Sequence, residues 1–454
     1  MNLDPVAAVA DIASTFAGRL LRPEDPAYEE ARRVHNGLVD KRPALIAQCR
    51  GMADIADGVR LGRTLGVEVS VRGGGHNPAG RAVTNGGLMI DLSGMRAVLV
   101  DPIRRTARVQ GGAIWKDVNR ETQAYGLAVT GGAVGTTGVA GLTLGGGLGW
   151  LMARQGMALD NVLSVDLVLA DGTLVRASAT EHPDLFWAVR GGGGNFGVAG
   201  SFEFQLAPVG PTVTGGIVAW PFERARDVLR FYREVTSDVS DDMMVFAAML
   251  TAPDGVTKLV AIAIGHMGAS AEAEAAVAPV KKFGSPVLDT VGSISYSALN
   301  SMLDASFPKG ALNYWKSSFL TQLSDEAIDT MIECFARCPT PMGQMLLEHF
   351  HGAATRVNVG DTAFPHRADG YNLLVLCEWM DPAITDRCIA WARETYAAMN
   401  PFMAPGRYVN YLADDEAGDP VAAAYGPNYR RLQDVKKRYD PNNFFHMNQN
   451  IRPA

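Results

Sequence analysis

The chain's most chemically pointed stretch is Arg72-Gly73-Gly74-Gly75-His76-Asn77, which follows an alternating run, Val67 to Val71, with the pattern of a strand. Glycine permits positive φ and lets backbone amides come close to a ligand, and consecutive amides can form a nest that attracts an anion. A bulky phosphate-bearing cofactor suits such a turn. Apart from Arg72, His76 is its only titratable side chain, and it is held against whatever the glycines admit. Two more clusters follow: Gly131-Gly132 with Gly138 to Gly149, and Gly191-Gly192-Gly193-Gly194-Asn195-Phe196-Gly197. One cluster could serve a turn or close packing. Three in one half of the chain fit a large cofactor lying along backbone.

Other constellations could carry chemistry of their own. Gly192-x-Gly194-x-x-Gly197 matches the dinucleotide fingerprint formally, but that motif needs a strand before it and a helix after it. Here Pro183 to Val189 reads as helix and Ala199 to Leu206 as strand, so a Rossmann nicotinamide site is rejected. His349 and His351 share one face of a strand by alternation, and His366 is near in sequence. No further ligand follows at a motif-like spacing, so no metal is assigned. Glu348 points to the opposite face, among Met345, Leu346 and Leu347. Burial there would raise its pKa and make it a candidate general base, or leave it in a satisfied salt bridge. No nucleophilic-serine elbow and no Walker loop is present. The chemistry must then come mainly from a cofactor.

The elements that position these residues are legible in outline. Ala27 to Val34 predicts a helix, Arg42 to Cys49 a strand, and Ala53 to Leu65 a helix stopped by Gly66. Leu88 to Leu92 and Arg105 to Gln110 read as strands and Ile114 to Tyr125 as a helix. Val162 to Ser178 reads as a hairpin about Asp171-Gly172. After Pro208 and Pro211 the glycine clusters vanish. Phe222 to Val235 and Ala269 to Phe283 then read as helices, with strands at Val245 to Leu250, Leu259 to His266, Gln344 to His351 and Asn372 to Trp379. Tyr429 to Tyr439 closes as a helix before the turn Asp440-Pro441-Asn442-Asn443. Strands beside helices without a βα repeat predict an α+β fold.

Length and composition bound the function. The 454 residues predict two domains or subdomains. Lys plus Arg at 41 against Asp plus Glu at 48 leaves a net charge of −7, which disfavours nucleic acid as a partner. Five cysteines form no paired pattern, and a reducing cytoplasm is expected. Asp4 and Pro5 read as a helix start rather than a signal peptide. The apolar stretch Val134 to Met152 is broken by seven glycines, so no membrane segment is expected.

Five ordered motifs carry a resemblance. They are Arg72 to His76, Gly138-Val139-Ala140-Gly141-x3-Gly145-Gly146-Gly147-x-Gly149, Gly191 to Gly197, Tyr408-Val409-Asn410-Tyr411, and the ending Tyr439-Asp440-Pro441-Asn442-Asn443-Phe444-Phe445-x3-Gln449-Asn450-Ile451. Together they resemble the berberine bridge enzyme-like branch of the FAD-linked oxidases, in the vanillyl-alcohol oxidase superfamily. The resemblance implies a two-part FAD-binding domain, residues 1–207 and 408–454, with a substrate-binding domain of antiparallel sheet flanked by helices inserted at 208–407. It implies FAD bonded through its 8α carbon to His76. The cofactor-contacting residues so implied are Arg72, Gly73, Gly74, Gly75, His76, Asn77 and Gly80. They continue through Gly132, Val134, Thr137, Gly138, Gly141, Gly145, Gly147, Trp150, Asp160 and Asn161, and end with Asn195, Gly197, Val198, Asn448 and Asn450. Many members make a second flavin bond through a cysteine where this chain has Val134, so a single link is implied.

The activity implied is oxidation of a small alcohol or amine by hydride transfer to flavin, with O2 reoxidising the cofactor to give H2O2. Tyr411 is the implied base, oriented by Asn410, with Glu348 as alternative or partner. Thr137 matches the position that gates oxygen in relatives. Two alternatives stand beside this reading: a mono-oxygenase working through a flavin-N5-oxide, and a non-catalytic flavin-binding protein. Partners are then a small-molecule substrate and O2, without nucleic acid or membrane.

Overall fold

The structure, a computed structural model, describes residue 12 and residues 14–415 and 418–454. The helix start expected at Asp4 and Pro5 lies outside the described residues. The fold is α+β, with two sheets built from residues up to 205, a larger one from the residues after 211, and a two-strand ribbon, Leu127–Ala128 with Ala207–Pro208, between them.

In the first sheet the strands Leu45–Gln48, Leu88–Asp91 and Val69–Arg72 run parallel, with Arg19–Leu21 added antiparallel at the edge. The helix Met52–Leu65 packs Ile55 and Val59 onto this sheet and ends at Gly66, whose φ of 62° is left-handed. The strand Val69–Arg72 therefore delivers the chain directly into the glycine turn. The helix expected over Ala27 to Val34 shrinks to Tyr28–Ala31, because the following residues turn inward to bond Gly75 and the strand Leu312–Leu320. The second sheet is antiparallel and contains the expected hairpin, Val162–Val168 with Leu174–Ser178, beside Val198–Gln205.

The third sheet is antiparallel throughout, and its central strands are Met243–Thr251, Gln344–Phe350 and Gly370–Trp379. Alternation gives it two faces. Val245, Ala247, Leu347, Leu373, Val375 and Cys377 point to one side, where the helices Ala225–Thr236, Asp325–Ala336 and Thr385–Met399 bury them. Phe246, Leu346, Glu348, Leu374 and Leu376 point to the other side, toward the glycine-rich half. Four strands of this sheet lie outside the expected ones, the long Thr212–Pro221 and Leu312–Leu320 and the short Leu288–Asp289 and Gly292–Ser295, as do the helices Tyr296–Asn300, Asp325–Ala336 and Thr385–Met399.

Candidate active site

The glycine clusters meet in one cavity, with an empty volume of about 1830 Å³ counted out to its open mouth. Its walls include Gly73 to Asn77, Gly132 to Val134, Thr137, Gly138, Gly141, Asn195, Gly197, Val198 and Asn448. The sheet supplies the opposite wall through Leu346, Glu348, Leu374, Leu376 and Trp315, and Asn410 and Tyr411 close one side.

Glycine is required here for two different reasons. A Cβ on Gly74 would lie 2.4 Å from Gly138 Cα, so the first and second clusters touch backbone to backbone. Gly141, by contrast, has nothing within 4 Å of its Cβ position and leaves the cavity open. The amides of Gly74, Gly75 and His76 donate to no acceptor among the described residues. Unsatisfied amides beside a cavity of this size fit the pyrophosphate of FAD.

Several residues expected at the cofactor do not line the cavity. Arg72 is buried and holds the sheet end, donating from Nε to Asp91 Oδ1 at 2.8 Å. Gly80 packs on Val39, Gly145 on Asn410 and Gly147 on Ala158, so these glycines serve close packing. Trp150 packs at a tilt against Phe246, with ring centroids 4.7 Å apart and 47° between the planes. Asp160 pairs with Arg367 at 2.8 Å, and Asn161 donates to the carbonyls of Gln155 and Met157. Asn450 is absent from the lining, whereas its neighbours Asn448 and Gln449 are present.

The C-terminal tail is fastened to the third glycine cluster. Asn195 donates to Gln449 O at 3.1 Å and accepts from Ile451 N at 3.1 Å, and Asn448 donates to Gly194 O. Behind it, Lys436 and Asp440 form a wholly buried ion pair at 2.6 Å. Lys436 also donates to Asn195 O, and Asp440 accepts from the amides of Phe444 and Phe445. Both charges in this cluster are paired and each carboxylate oxygen is hydrogen-bonded, the condition under which a buried pair is tolerated.

His76 stacks on His35 at 3.9 Å between ring centroids. Desolvation first, then His35, pushes its pKa down to about 3, against a backbone hydrogen bond at Thr136. Its imidazole is therefore neutral. Val134 lines the same cavity, and its carbonyl accepts from Thr137 N.

Across the cavity, Glu348 is 4% exposed and bonded on both oxygens. Asn372 Nδ2 donates to Oε2 at 2.6 Å and Tyr411 Oη donates to Oε1 at 3.3 Å. Burial pushes the carboxyl up to about 7, with those two hydrogen bonds drawing it down. Burial and the neighbouring carboxyl hold the Tyr411 hydroxyl well above its usual range. Glu348 is thus the member of the pair that can exchange a proton near neutrality. Asn410 does not orient Tyr411: its Nδ2 donates to Leu142 O and to Tyr408 Oη, both at 2.9 Å. Asn372 is a functional residue outside the sequence expectations, and its one signal is that it is a lone amide in the apolar run of Gly370–Trp379.

A second acid, Glu378, lies on the same face two residues beyond Leu376. It is 1% exposed, and neither oxygen has a hydrogen-bond partner among the described residues. Burial pushes it up to about 8, with the nearby Trp315 N–H pulling the other way. His349 and His351 stack on the opposite face at 4.1 Å, as alternation predicts, while His366 lies apart and bonds Ala424 O.

Comparison with known proteins agrees with this architecture. Residues 43–178 match the model of an FAD binding domain, and residues 407–452 match the model described as berberine and berberine like. The chain is 32% identical over 451 residues to (R)-6-hydroxynicotine oxidase of Paenarthrobacter nicotinovorans, covering 97% of each. It also resembles the crystal structure of 6-hydroxy-D-nicotine oxidase from Arthrobacter nicotinovorans, with a TM-score of 0.88, 30% identity, and 97% of this chain and 98% of that one covered. BBE-like 1 of Physcomitrella patens shares the fold, with a TM-score of 0.89 at 22% identity and full coverage of both chains.

An FAD-binding oxidoreductase fold with a substrate wall of antiparallel sheet is the class so defined. Within it, the chain belongs to the berberine bridge enzyme-like FAD-linked oxidases of the vanillyl-alcohol oxidase superfamily. Among the described residues, no helix is long and apolar enough to cross a membrane.

Proposed function

We propose that this chain is an oxidase of small, largely apolar alcohols or amines, with FAD joined to it by a single bond at His76. FAD held by the turns at 73–76 and 191–197 would supply the hydride acceptor for the substrate C–H and the two-electron carrier to O2, with H2O2 as the reduced product. The chain's own residues bind, orient and move the proton. Residues 1–207 and 408–454 form the cofactor part and 208–407 the substrate part, in a reducing cytoplasm where the five cysteines stay free.

The observation that carries this reading is the hydrogen-bonded Glu348–Tyr411 pair, set in an apolar wall on the same cavity as a neutral His76. A neutral imidazole keeps a nitrogen lone pair available for a covalent bond. Val134 offers no thiol for a second one. Glu348 Oε1 takes the substrate hydroxyl or ammonium proton through or beside Tyr411, while Asn372 holds Oε2 in place. Leu303, Phe307, Trp315, Leu346, Leu374 and Leu376 exclude water and favour an apolar substrate body.

Acid precipitation tests the tether. The wild-type pellet is expected to stay yellow and fluorescent, and the His76→Ala pellet to be colourless with its flavin in the supernatant. A colourless wild-type pellet would overturn the covalent link. Anaerobic mixing with an alcohol and amine panel tests the activity, since a flavin that no member bleaches would favour a non-catalytic binding protein.

A further inference from the structure

The glycine turn has a second side. Behind Gly73, Gly74, Gly75 and His76 lies another cavity, with an empty volume of about 1390 Å³ counted to its mouth. The two cavities share this turn and Phe307, so they stand back to back across it. Their linings differ in kind. The first is walled largely by apolar side chains, while the second carries Arg19, Arg33, Arg72, Arg96 and Lys309 against one acid, Glu30.

Two of these cations are already committed, Arg72 to Asp91 and Arg96 to Asp117. Arg19, Arg33 and Lys309 have no ion pair among the described residues and leave an uncompensated positive field. A separate observation points to a ligand. His35 faces this cavity and is only 7% exposed, yet its ring has no hydrogen-bond partner among the described residues. Its stacking on His76 leaves both ring nitrogens free to meet a ligand at their edge. Burial, and after it Lys309, lowers the pKa of both imidazoles. The floor of the cavity is therefore a neutral imidazole beside an ammonium, ringed by two guanidinium groups, a donor set suited to a tetrahedral oxyanion.

We propose that the cavity behind His76 is a second binding site, for a doubly charged phosphate, formed by Lys309, Arg33, Arg19 and His35 and separate from the FAD site. The anion is either free inorganic phosphate or the phosphate of a small monoester, and the cavity has room for either. The proposal does not depend on the catalytic reading above, because none of these four residues lines the first cavity.

Calorimetric titration of the FAD-loaded protein with inorganic phosphate and with glycerol 3-phosphate, at matched ionic strength in chloride, tests it. Saturable binding is expected that weakens about ten-fold in Lys309→Ala and again in Arg33→Ala. Both positions are exposed, so folding is not at stake, and an unchanged circular dichroism melt verifies this. Tighter binding of the ester would assign the site to a phosphomonoester, and equal binding to free phosphate. No heat above the chloride control, or binding that both variants leave unchanged, would overturn the site. Binding seen only after FAD is removed would also overturn it, since the cations would then belong to the cofactor.

Discussion

Glu348 and Glu378 sit on the same face of the same sheet, and both are almost wholly buried, at 4% and 1% exposure. Their surroundings differ in partners rather than in depth. Glu348 receives hydrogen bonds from Asn372 and Tyr411 and opens on the cavity, whereas Glu378 lies beside the Trp315 indole with both oxygens unpaired. Desolvation raises both, to about 7 and about 8, and the bonded one is the lower. Burial alone makes a carboxyl reluctant to ionise. Burial with aimed donors makes one that ionises near neutrality in a fixed direction, which is what proton transfer needs.

The sharpest way to break this contrast is Glu348→Gln. Anaerobic flavin reduction is expected to slow about a hundred-fold with flavin content unchanged, and a rate near that of the wild type would remove Glu348 from the chemistry. Tyr411→Phe comes next. Loss of one hydrogen bond to a charged group predicts a slowing of about ten-fold. In the wild type the reduction rate should rise with pH through about 7 as Glu348 ionises. Because the Tyr411 bond lowers that pKa, the variant's midpoint should lie at higher pH, and an unmoved midpoint would separate Tyr411 from the base.

The smallest catalytic effect is expected for Glu378→Gln, a reduction rate within about two-fold of wild type, with a change in stability instead. Its native pKa of about 8 lies above the ordinary 4.5, so the folded state binds the extra proton between those values. Wild-type stability should fall as pH rises through that window and level off above it, while glutamine does not titrate. Urea unfolding should therefore favour the variant by on the order of 4 kcal/mol more at about pH 9 than at about pH 5. An equal gap at both would show that Glu378 finds a partner when it ionises.

The same contrast marks how much was legible beforehand. The clusters at 73–75, 138–141 and 191–197 could be read because backbone approach depends on local residue type, and no other residue does what glycine does at Gly74. Glu348 could be read as a lone carboxyl in an apolar strand. Its partner Asn372 could not, because the register that sets Glu348 opposite Asn372 belongs to strand pairing rather than to either strand. The pairing of Asn410 with Tyr411 comes from the family motif Tyr408 to Tyr411. The short helical turn Val409–Tyr411 sends the two side chains in different directions, one to Leu142 and Tyr408 and the other to Glu348. Gly145, Gly147 and Trp150 belong to the family pattern, yet here they pack one segment on another, a role that glycine spacing does not distinguish from ligand contact.

The fastening of the tail has a bearing on how the molecule is made. Asn448 and Gln449 form part of the cavity wall, and Asn195 clasps the tail by bonding both Gln449 O and Ile451 N. The strand that leads to His76 is synthesised early and these residues late, so a ribosome holds an incomplete cofactor chamber for most of translation. The glycine turns and the apolar sheet wall therefore stay open on one side until the tail is docked.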